Sequence, residues 1–371
     1  MENVLVSVMF LSYNHGKYIK DTMNSVLNQS YGNFEVILSD DCSTDNSYEI
    51  LQDYSDSRIH LHRFEKNVGA SANHKYIQER CQGKYLALIN SDDLWEKNHL
   101  KSGVEYLEKN PSCYATFSWS GLIDENGKSL EACCEIFKKE NRTKSEWLRY
   151  LFSYGNCLCH PSVILRRELY EEIGFYNMAM RQLPDFDLWV RVLKKYDVHI
   201  LQEVTVQHRR CILSNQNTSA PVYTNSIRDI NESSYILSHF WDNLSDQQFV
   251  EVFSPLFRNP NAFLHEQIQC EKFFLLFDDK YYMKSISKQF AFLFLLDIYN
   301  KKGVKDVLLN EYNFSVEDIY QLGAEIDLYC INSVSNKSVS NVKNISTKKT
   351  KSLIKVIVQK ILKLLGKKNF S

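Results

Sequence analysis

The sequence predicts an α/β fold built on a mostly parallel sheet with helices on both faces. The segment Val4–Leu11 is a continuous apolar run, typical of a strand that is buried on both faces, and Phe34–Leu38 and Tyr85–Ile89 are predicted to be further strands of the same sheet. Apolar residues at helical spacing follow the first run over 18–27 and recur over 70–81. This alternation of strand and helix predicts a parallel sheet whose ligands bind at the carboxyl ends of the strands.

The remaining elements are placed by the same patterns. A helix is expected after Ser43–Asn46, which are good capping residues, and a short strand over Ile59–His62. Beyond residue 110 the pattern is less regular, and residues 225–330 turn helical and rich in Phe, Tyr and Leu. The elements expected between are the strands Tyr114–Trp119, Ser162–Leu165 and Val198–Gln207 and the helix Asp187–Lys195.

These patterns divide the chain into four parts. An α/β domain is expected over 1–220, with a first half, 1–110, and a second half, 111–220. It is followed by a helical region over 221–331 and a flexible linker over 332–352, which is rich in Ser, Asn, Lys and Thr. The last part, 353–371, is expected to be a basic amphipathic helix.

Charge argues against nucleic acid as a partner, because the 371 residues carry a net charge of only −1. No export signal and no apolar stretch of membrane-spanning length is evident, and the ten cysteines show no disulfide framework. These features predict a cytoplasmic protein.

The end of the chain is unlike its body. Residues 341–371 contain nine lysines and no acidic residue. In 353–365 the apolar residues form a broad face beside a narrow stripe of lysines, which predicts a helix lying on the inner face of the membrane with its lysines toward anionic lipid headgroups. The alternative is a helix that docks on the protein body or on a partner chain.

Acidic residues follow two of the buried strands directly. Asp40 and Asp41 come after the second strand, and Asp92 and Asp93 come shortly after the strand that ends near Ile89. A parallel sheet brings both pairs to one edge, where like charges repel unless a cation lies between them. Mg²⁺ and Mn²⁺ prefer such oxygen ligands and join them to substrate phosphates. Helix capping and turn formation are the alternative roles.

Phosphate-binding loops rich in glycine are absent from the sequence. The first strand ends instead in Ser12-Tyr13-Asn14-His15-Gly16, so the sequence predicts that phosphates are held by a metal ion. Tyr13 is expected to stack on a nucleotide base, with local packing in the loop as the alternative.

Taken in order, these motifs resemble the family 2 glycosyltransferases over roughly residues 3–215. The matching segments are Ser7–Asn14, Ser25–Tyr31, Phe34–Asp45, Asn67–Ser71 with Asn73, Gly83–Tyr85, Ser91–Trp95, His160–Ser162, Gly174–Tyr176 and Asp185–Arg191. Each segment is a weak signal alone, but the ordered series is specific. The resemblance implies the GT-A fold, a nucleotide-binding sheet with an attached acceptor half.

The resemblance also implies roles for residues. Tyr13 and Asp41 would contact the base with Asp40 beside them, and Asp92 and Asp93 would touch ribose, cation and diphosphate. Asp185 would be the general base, although an acid in the first turn of a helix is also favoured by the helix dipole alone. The other residues assigned to the nucleotide sugar are Ser12, Asn14, Asn67 and Asn90.

Two further points bear on the site. The family motif often begins with Asp where this chain has Asn90, and a neutral amide there can still touch ribose or cation with less charge. His208 and Arg209 follow the last strand of the matched region and are expected to approach phosphate, with a solvated loop as the alternative.

The predicted activity is inverting transfer of a sugar from a nucleotide diphosphate to a hydroxyl of a glycan or lipid-linked acceptor, in capsule, O-antigen or lipooligosaccharide synthesis. A divalent cation, Mn²⁺ or Mg²⁺, would neutralise the leaving diphosphate, and one carboxylate would accept the proton of the attacking hydroxyl. A nucleotidyltransferase and a catalytically silent, membrane-associated nucleotide-sugar-binding relative remain as alternatives.

Overall fold

The computed structural model describes residues 5–210 and 222–326. The chain divides into two compact units, residues 1–313 and 314–371. The linker expected over 332–352 and the helix expected over 353–371 lie outside the described residues, so both stay predictions.

One mixed sheet holds the strands of the first unit. In the described part of the chain its strands are β1 (Val6–Ser12), β2 (Phe34–Asp40), β3 (Ile59–Arg63), β4 (Tyr85–Asn90), β5 (Leu94–Trp95), β6 (Cys113–Ile123), β7 (Ser129–Cys133), β8 (Ile164–Arg166) and β9 (Asp197–Arg209).

Helices before residue 211 alternate with these strands. They are α1 (Ile19–Leu27), α2 (Ser47–Gln52), α3 (Ala70–Gln78), α4 (His99–Lys109), α5 (Lys144–Tyr154), α6 (Glu168–Ile173) and α7 (Pro184–Leu193). From residue 222 to 313 the unit is helical. Its helices there are α8 (Tyr223–Ser238), α9 (Asp246–Phe253), α10 (His265–Phe277), α11 (Lys284–Ile298) and α12 (Val304–Tyr312).

The second unit is described over 314–326 only. It contains α13 (Val316–Glu325), which begins after a capping box formed by Ser315 and Asp318. Within the described residues, no helix is both long enough and apolar enough to cross a membrane.

The strand order is β3-β2-β1-β4-β8-β6-β9-β5, with β7 beside β6. β1, β2, β3 and β4 pair in parallel, as do β6 and β9, whereas β8 pairs antiparallel to both β4 and β6. The register pairs Ser12 with Asp40 and Leu11 with Asn90, which brings the ends of β1, β2 and β4 to one edge. The predicted α/β fold with a mostly parallel sheet is therefore confirmed.

Both faces of the sheet are buried. Val6, Val8 and Phe10 of β1 pack with α1 and α4 in one apolar cluster. Met9, which points to the other face, is also buried, and α3 packs there against β1 and β2. A layer of helix on each side explains why these strands read as continuous apolar runs.

One close approach in this region requires glycine. The amide of Gly83 donates to Ser7 Oγ at 2.8 Å, and Ser7 Oγ in turn donates to Glu35 Oε1 at 2.5 Å. A Cβ at position 83 would lie 2.5 Å from the backbone nitrogen of Ser7. The turn before β4 therefore packs directly on the backbone of β1.

Several expected boundaries were wrong, since the strands expected over Tyr114–Trp119 and Val198–Gln207 span Cys113–Ile123 and Asp197–Arg209. The helix expected from Asp187 begins at Pro184, whose missing N–H costs nothing at the first helical position. The strand expected over Ser162–Leu165 is Ile164–Arg166, because His160–Ser162 form a 3₁₀ turn. As a result, Asp185 lies inside the first turn of α7.

Candidate active site

Asp40 holds the turn that follows β2. Its carboxylate accepts from Ser12 Oγ at 3.1 Å, from Ser43 Oγ at 2.5 Å and from the Ser43 amide at 2.9 Å. The side chain is buried, and Arg63 lies 3.7 Å away. With its oxygens occupied, Asp40 joins the ends of β1 and β2.

Asn14 and Tyr13 form the loop after β1. Asn14 has a positive φ of 53° and accepts from the Thr44 amide at 2.8 Å through its side-chain oxygen, which ties this loop to the turn after β2. Tyr13 is 44% exposed. The exposed ring at the carboxyl end of β1 is available for stacking on a planar ligand.

Asp41 fastens the loop before α3. Its carboxylate accepts from the amides of Val68 at 2.7 Å and Gly69 at 3.0 Å, and the Asn67 side chain donates to its carbonyl at 3.4 Å. Burial raises the pKa of Asp41, although these two amide bonds oppose the shift. The structure thus brings Asp41 and Asn67 together, as expected.

Asp93 is fully enclosed, with no exposed surface. Its Oδ1 lies 3.1 Å from His208 Nδ1 and accepts from the Arg209 amide at 2.9 Å, and its Oδ2 accepts from Asn90 Nδ2 at 3.0 Å. Although burial opposes it, the His208 charge lowers the pKa of Asp93 and keeps it ionised. Asp93 therefore joins the end of β4 to the end of β9.

Asp92 has the opposite surroundings. Among the described residues, no other residue donates a hydrogen bond to its carboxylate, and the side chain is partly exposed. Burial and the adjacent Asp93 charge raise the pKa of Asp92, and His15 and His208 act in the opposite direction. A carboxylate with unused oxygens beside a second acid favours a cation as its missing partner.

His15 is a site residue that the sequence prediction did not include. Its Nδ1 lies 2.7 Å from Ser91 Oγ, next to Asp92, and its amide donates to Ser47 Oγ at 2.9 Å. The signal was available, since His15 follows Ser12-Tyr13-Asn14 at the same strand end.

His208 and Arg209 lie together at the end of β9. The Asp93 charge raises the pKa of His208, which favours the imidazolium form. The Arg209 guanidinium is 1% exposed, donates to the carbonyls of Asp92 at 2.7 Å and Asp124 at 3.0 Å, and lies over the Tyr18 ring. In this arrangement Arg209 holds the loop of Asp92 and Asp93 in place. Its predicted contact with phosphate stays a prediction.

Asp185 lies in the first turn of α7. It accepts from Asn156 Nδ2 at 2.8 Å and also from the Phe186 amide. Burial raises the pKa of Asp185, while the nearby His160 and these two hydrogen bonds lower it. The start of the helix therefore does stabilise the Asp185 carboxylate, as the helix-dipole alternative expects. Burial has the larger effect on the pKa, so the carboxylate is more basic than usual.

The charges of Asp93 and Asp185 both act on His160. Burial lowers the pKa of His160, and Asp185 and Asp93 raise it. Two hydrogen bonds connect residues before 110 with residues after 110: Trp95 Nε1 donates to the Pro161 carbonyl at 3.0 Å, and Ser71 Oγ donates to the Met180 carbonyl at 3.2 Å. The chain that leads to Asp185 is therefore attached to the part that carries Asp92 and Asp93.

The described residues contain no preformed cluster of three or more His, Cys, Asp or Glu side chains that would hold a metal. Asp92 with a neighbouring amide or imidazole fits a different type of site, in which the ion keeps few protein ligands and takes the rest from substrate phosphates. The donor set therefore suits a cation that binds with a nucleotide diphosphate.

Comparison with known proteins agrees with this geometry. The family model for glycosyl transferase family 2 matches residues 7–174. TuaG of Bacillus subtilis, assigned by its name to teichuronic acid biosynthesis as a glycosyltransferase, is 36% identical over 208 residues, which are 55% of this chain and 79% of TuaG. The Escherichia coli UDP-Glc:alpha-D-GlcNAc-diphosphoundecaprenol beta-1,3-glucosyltransferase WfgD is 29% identical over 199 residues, 53% of this chain and 73% of WfgD.

Among solved structures, TarS 1–349 of S. aureus in complex with UDP-GlcNAc superimposes with a TM-score of 0.55 at 19% identity, covering 84% of this chain and 92% of TarS 1–349. At that identity the likeness concerns the fold, which is GT-A-like. This fold, with acids at the carboxyl edge of its sheet, agrees with the family that the sequence comparisons show. The chain belongs to glycosyltransferase family 2 and is a glycosyltransferase.

Proposed function

We propose that this enzyme transfers a hexosyl or N-acetylhexosaminyl group from a uridine diphosphate sugar to a hydroxyl of a lipid-linked or glycan acceptor, with inversion, in assembly of a cell-envelope polysaccharide. The observation that carries this proposal is Asp185, a carboxylate with raised pKa whose charge acts on His160 together with the charge of Asp93 in the acidic loop.

The donor would occupy the carboxyl edge of β1, β2 and β4. Tyr13 offers an exposed ring for the base at the end of β1, and Asp41, whose carbonyl accepts from Asn67, follows the end of the neighbouring strand β2. Asp92 would hold the divalent cation, which supplies neutralisation of the leaving diphosphate when bound. Asp93, whose oxygens are taken by His208, Arg209 and Asn90, would hold the loop in place.

Asp185 would act on the acceptor. Its raised pKa makes the carboxylate a better proton acceptor for a sugar hydroxyl at neutral pH. The bond from Asn156 to Oδ2 holds the orientation of this carboxylate. One base opposite the leaving group gives a single displacement and an inverted anomeric centre.

The substrate class rests on what the relatives are named for. WfgD acts on UDP-glucose and a GlcNAc-diphosphoundecaprenol acceptor, TuaG is assigned to teichuronic acid biosynthesis, and TarS was solved with UDP-GlcNAc. Those names support a uridine diphosphate donor and an acceptor that belongs to the cell envelope.

The proposal is tested by incubating the purified protein with Mn²⁺ and either UDP-glucose or UDP-GlcNAc, with and without a GlcNAc-diphospholipid acceptor. We expect UDP release from one donor, faster with acceptor and lost with chelator. Release of UDP that is unaffected by chelator would contradict the proposed need for a cation. No release from either donor would favour the catalytically silent alternative.

A membrane contact through 353–371 belongs to the same proposal, supported by the lysine stripe and the nine lysines of 341–371. Vesicles containing phosphatidylglycerol should sediment the full-length protein at low salt and partly at high salt, because salt screens only the charge term. A variant ending at residue 340 should remain in solution. Equal sedimentation of the two proteins would contradict the membrane contact.

A further inference from the structure

The start of α7 is held by a carboxylate from the helical region. Glu232 on α8 accepts from the amides of Arg181 at 2.8 Å, Gln182 at 2.8 Å and Leu183 at 2.7 Å. One side chain thus binds three consecutive amides that lead directly into Pro184 and Asp185.

These amides need such a partner. They precede α7, so the helix offers them no acceptor, and Leu183 provides no side-chain cap of its own. A negative charge at this end also interacts favourably with the helix dipole. Glu232 supplies both the missing acceptor and the charge from a segment about 50 residues away.

The position of Glu232 is itself fixed. The next residue, Ser233, bonds through Oγ to the Tyr282 hydroxyl at 2.6 Å, and its carbonyl accepts from the Tyr281 hydroxyl at 3.3 Å. Tyr282 in turn packs edge-on against Phe186, the residue after Asp185. The helical region therefore contacts the start of α7 both before and after Asp185.

Asp229, one turn before Glu232 on α8, adds a second carboxylate to this surface. Burial raises its pKa, and the charges of Glu232 and Asp185 raise it further, which places it within electrostatic reach of Asp185. The α8 surface that faces the base is thus acidic, and Glu232 is the member of it that is bound to backbone.

We propose that Glu232 is a positioning residue for Asp185: its carboxylate, by binding the amides of 181–183, sets the place and direction of the base, so that the helical region completes the active site. This inference rests on the proposed role of Asp185. By this inference the helical region takes part in turnover, although it lies beyond the segments that resemble the family.

The test compares Glu232→Gln with wild type. Glutamine has the same shape but no charge, and its amide group must face amide donors. We expect kcat for Mn²⁺-dependent UDP release from UDP-glucose, or from UDP-GlcNAc if that is the wild-type donor, to fall roughly 10- to 100-fold, the size of effect that a small misplacement produces. The donor KM should stay within about twofold, because the donor-binding residues lie on other elements.

The decisive measurement is the double variant with Asp185→Asn. If Glu232 acts through Asp185, then Glu232→Gln should cause no further loss in that background. Hydrogen exchange of the amides of 181–183 should accelerate in Glu232→Gln. Glu251→Gln on α9, which removes an exposed carboxylate bonded only to Ser145 in the described structure, is the matched control and should keep wild-type kcat.

Each outcome separates the two proposals. Wild-type kcat in Glu232→Gln, or a multiplied loss in the double variant, would overturn the positioning role alone. Wild-type turnover in Asp185→Asn would overturn the proposed base and this inference with it. Glu232→Asp, which keeps the charge on a shorter side chain, should give an intermediate kcat; a kcat below that of Glu232→Gln would show that charge at this place is harmful and would also overturn the role.

Discussion

Asp92 and Asp93 are neighbours in the chain, yet the structure shifts the pKa of the first upward and that of the second downward. His208 and the Arg209 amide compensate the charge of Asp93, whereas Asp92 has no such partner among the described residues. The two acids are thereby separated into a carboxylate available to a ligand and a carboxylate that holds the loop.

This separation makes the two positions distinguishable. Asp92→Asn should abolish Mn²⁺-dependent binding of UDP and leave the melting temperature nearly unchanged. Asp93→Asn removes one member of a buried pair and should lower the melting temperature by roughly 5–10 °C. Calorimetric titration with UDP and Mn²⁺, and thermal unfolding without ligand, measure the two effects. Unchanged UDP affinity in Asp92→Asn would place the cation elsewhere.

Asp185→Asn should bind UDP and Mn²⁺ as wild type does and lose turnover by a factor of roughly 10² to 10⁴, the usual contribution of a positioned base. Asp187→Asn is the control on the same helix, since Asp187 pairs with Arg191 at 2.9 Å and takes no part in the proposed chemistry. Turnover is measured at saturating donor. Comparable losses in both variants would show that the effect belongs to the helix and not to the base.

The pH dependence of turnover should report the raised pKa of Asp185. A base must be ionised to accept a proton, so kcat/KM should fall as the pH falls through this pKa, at a pH above the usual range for aspartate. Asn156→Ala removes a hydrogen bond that favours the ionised form, so it should move this limb to higher pH. Profiles are recorded at saturating Mn²⁺. A limb that does not move in Asn156→Ala would assign the titration to another group.

His99 makes stability depend on pH in a defined direction. Its ring is buried, with Nδ1 2.8 Å from Thr205 Oγ1, and burial lowers its pKa to about 3. Because the unfolded chain takes up the proton near pH 6.5, the stability due to neutral His99 is complete above that pH and is lost as the pH falls toward 3. The stability difference between wild type and His99→Gln should therefore shrink by about 1.4 kcal/mol per pH unit below 6.5.

Urea unfolding at pH 7.5 and pH 5.5 measures this difference. Val104→Ala on α4 provides the control, since it changes a buried side chain without a titratable group and should give the same stability difference at both pH values. A constant difference for His99→Gln would mean that the ring is also protonated in the folded protein.

Gly83→Ala should destabilise the protein by roughly 1–3 kcal/mol, since the added methyl group meets the backbone of Ser7 and overpacks a closed region. Gly32→Ala is the matched control, because nothing lies within 4 Å of the position that its Cβ would take. Chemical unfolding of both variants tests the contact. Equal stability of the two would show that the turn before β4 moves away at no cost.

The strands of the sheet could be predicted from the sequence because they are buried on both faces. Val6, Val36 and Ala87 lie in strands that are covered on both faces of the sheet. Such strands are mostly apolar along their length, and this one feature identifies them in the sequence. Helix α5 was missed even though Thr143 and Glu146 form a capping box that marks its start. The short antiparallel strand β8 depends on pairing with distant segments, which no local pattern records.

Site residues could be predicted from the sequence where they directly follow a strand. They could not be predicted where their role depends on long-range contacts. Asp40, Asp41, Asp92 and Asp93 were found because a parallel sheet must bring them to one edge. The different surroundings of Asp92 and Asp93 come from His208 and Arg209, which only the pairing of β5 with β9 brings near. Glu232 carries no motif, and only its three amide contacts distinguish it.

The contact between Asp93 and Arg209 also has a consequence for synthesis of the chain. These residues are 116 positions apart, so at about 5–20 residues per second a ribosome needs roughly 6–23 s to add the second after the first. During that interval Asp93 lacks both His208 and the Arg209 amide. The loop of Asp92 and Asp93 in the nascent chain therefore cannot reach its final arrangement until the end of β9 has been made.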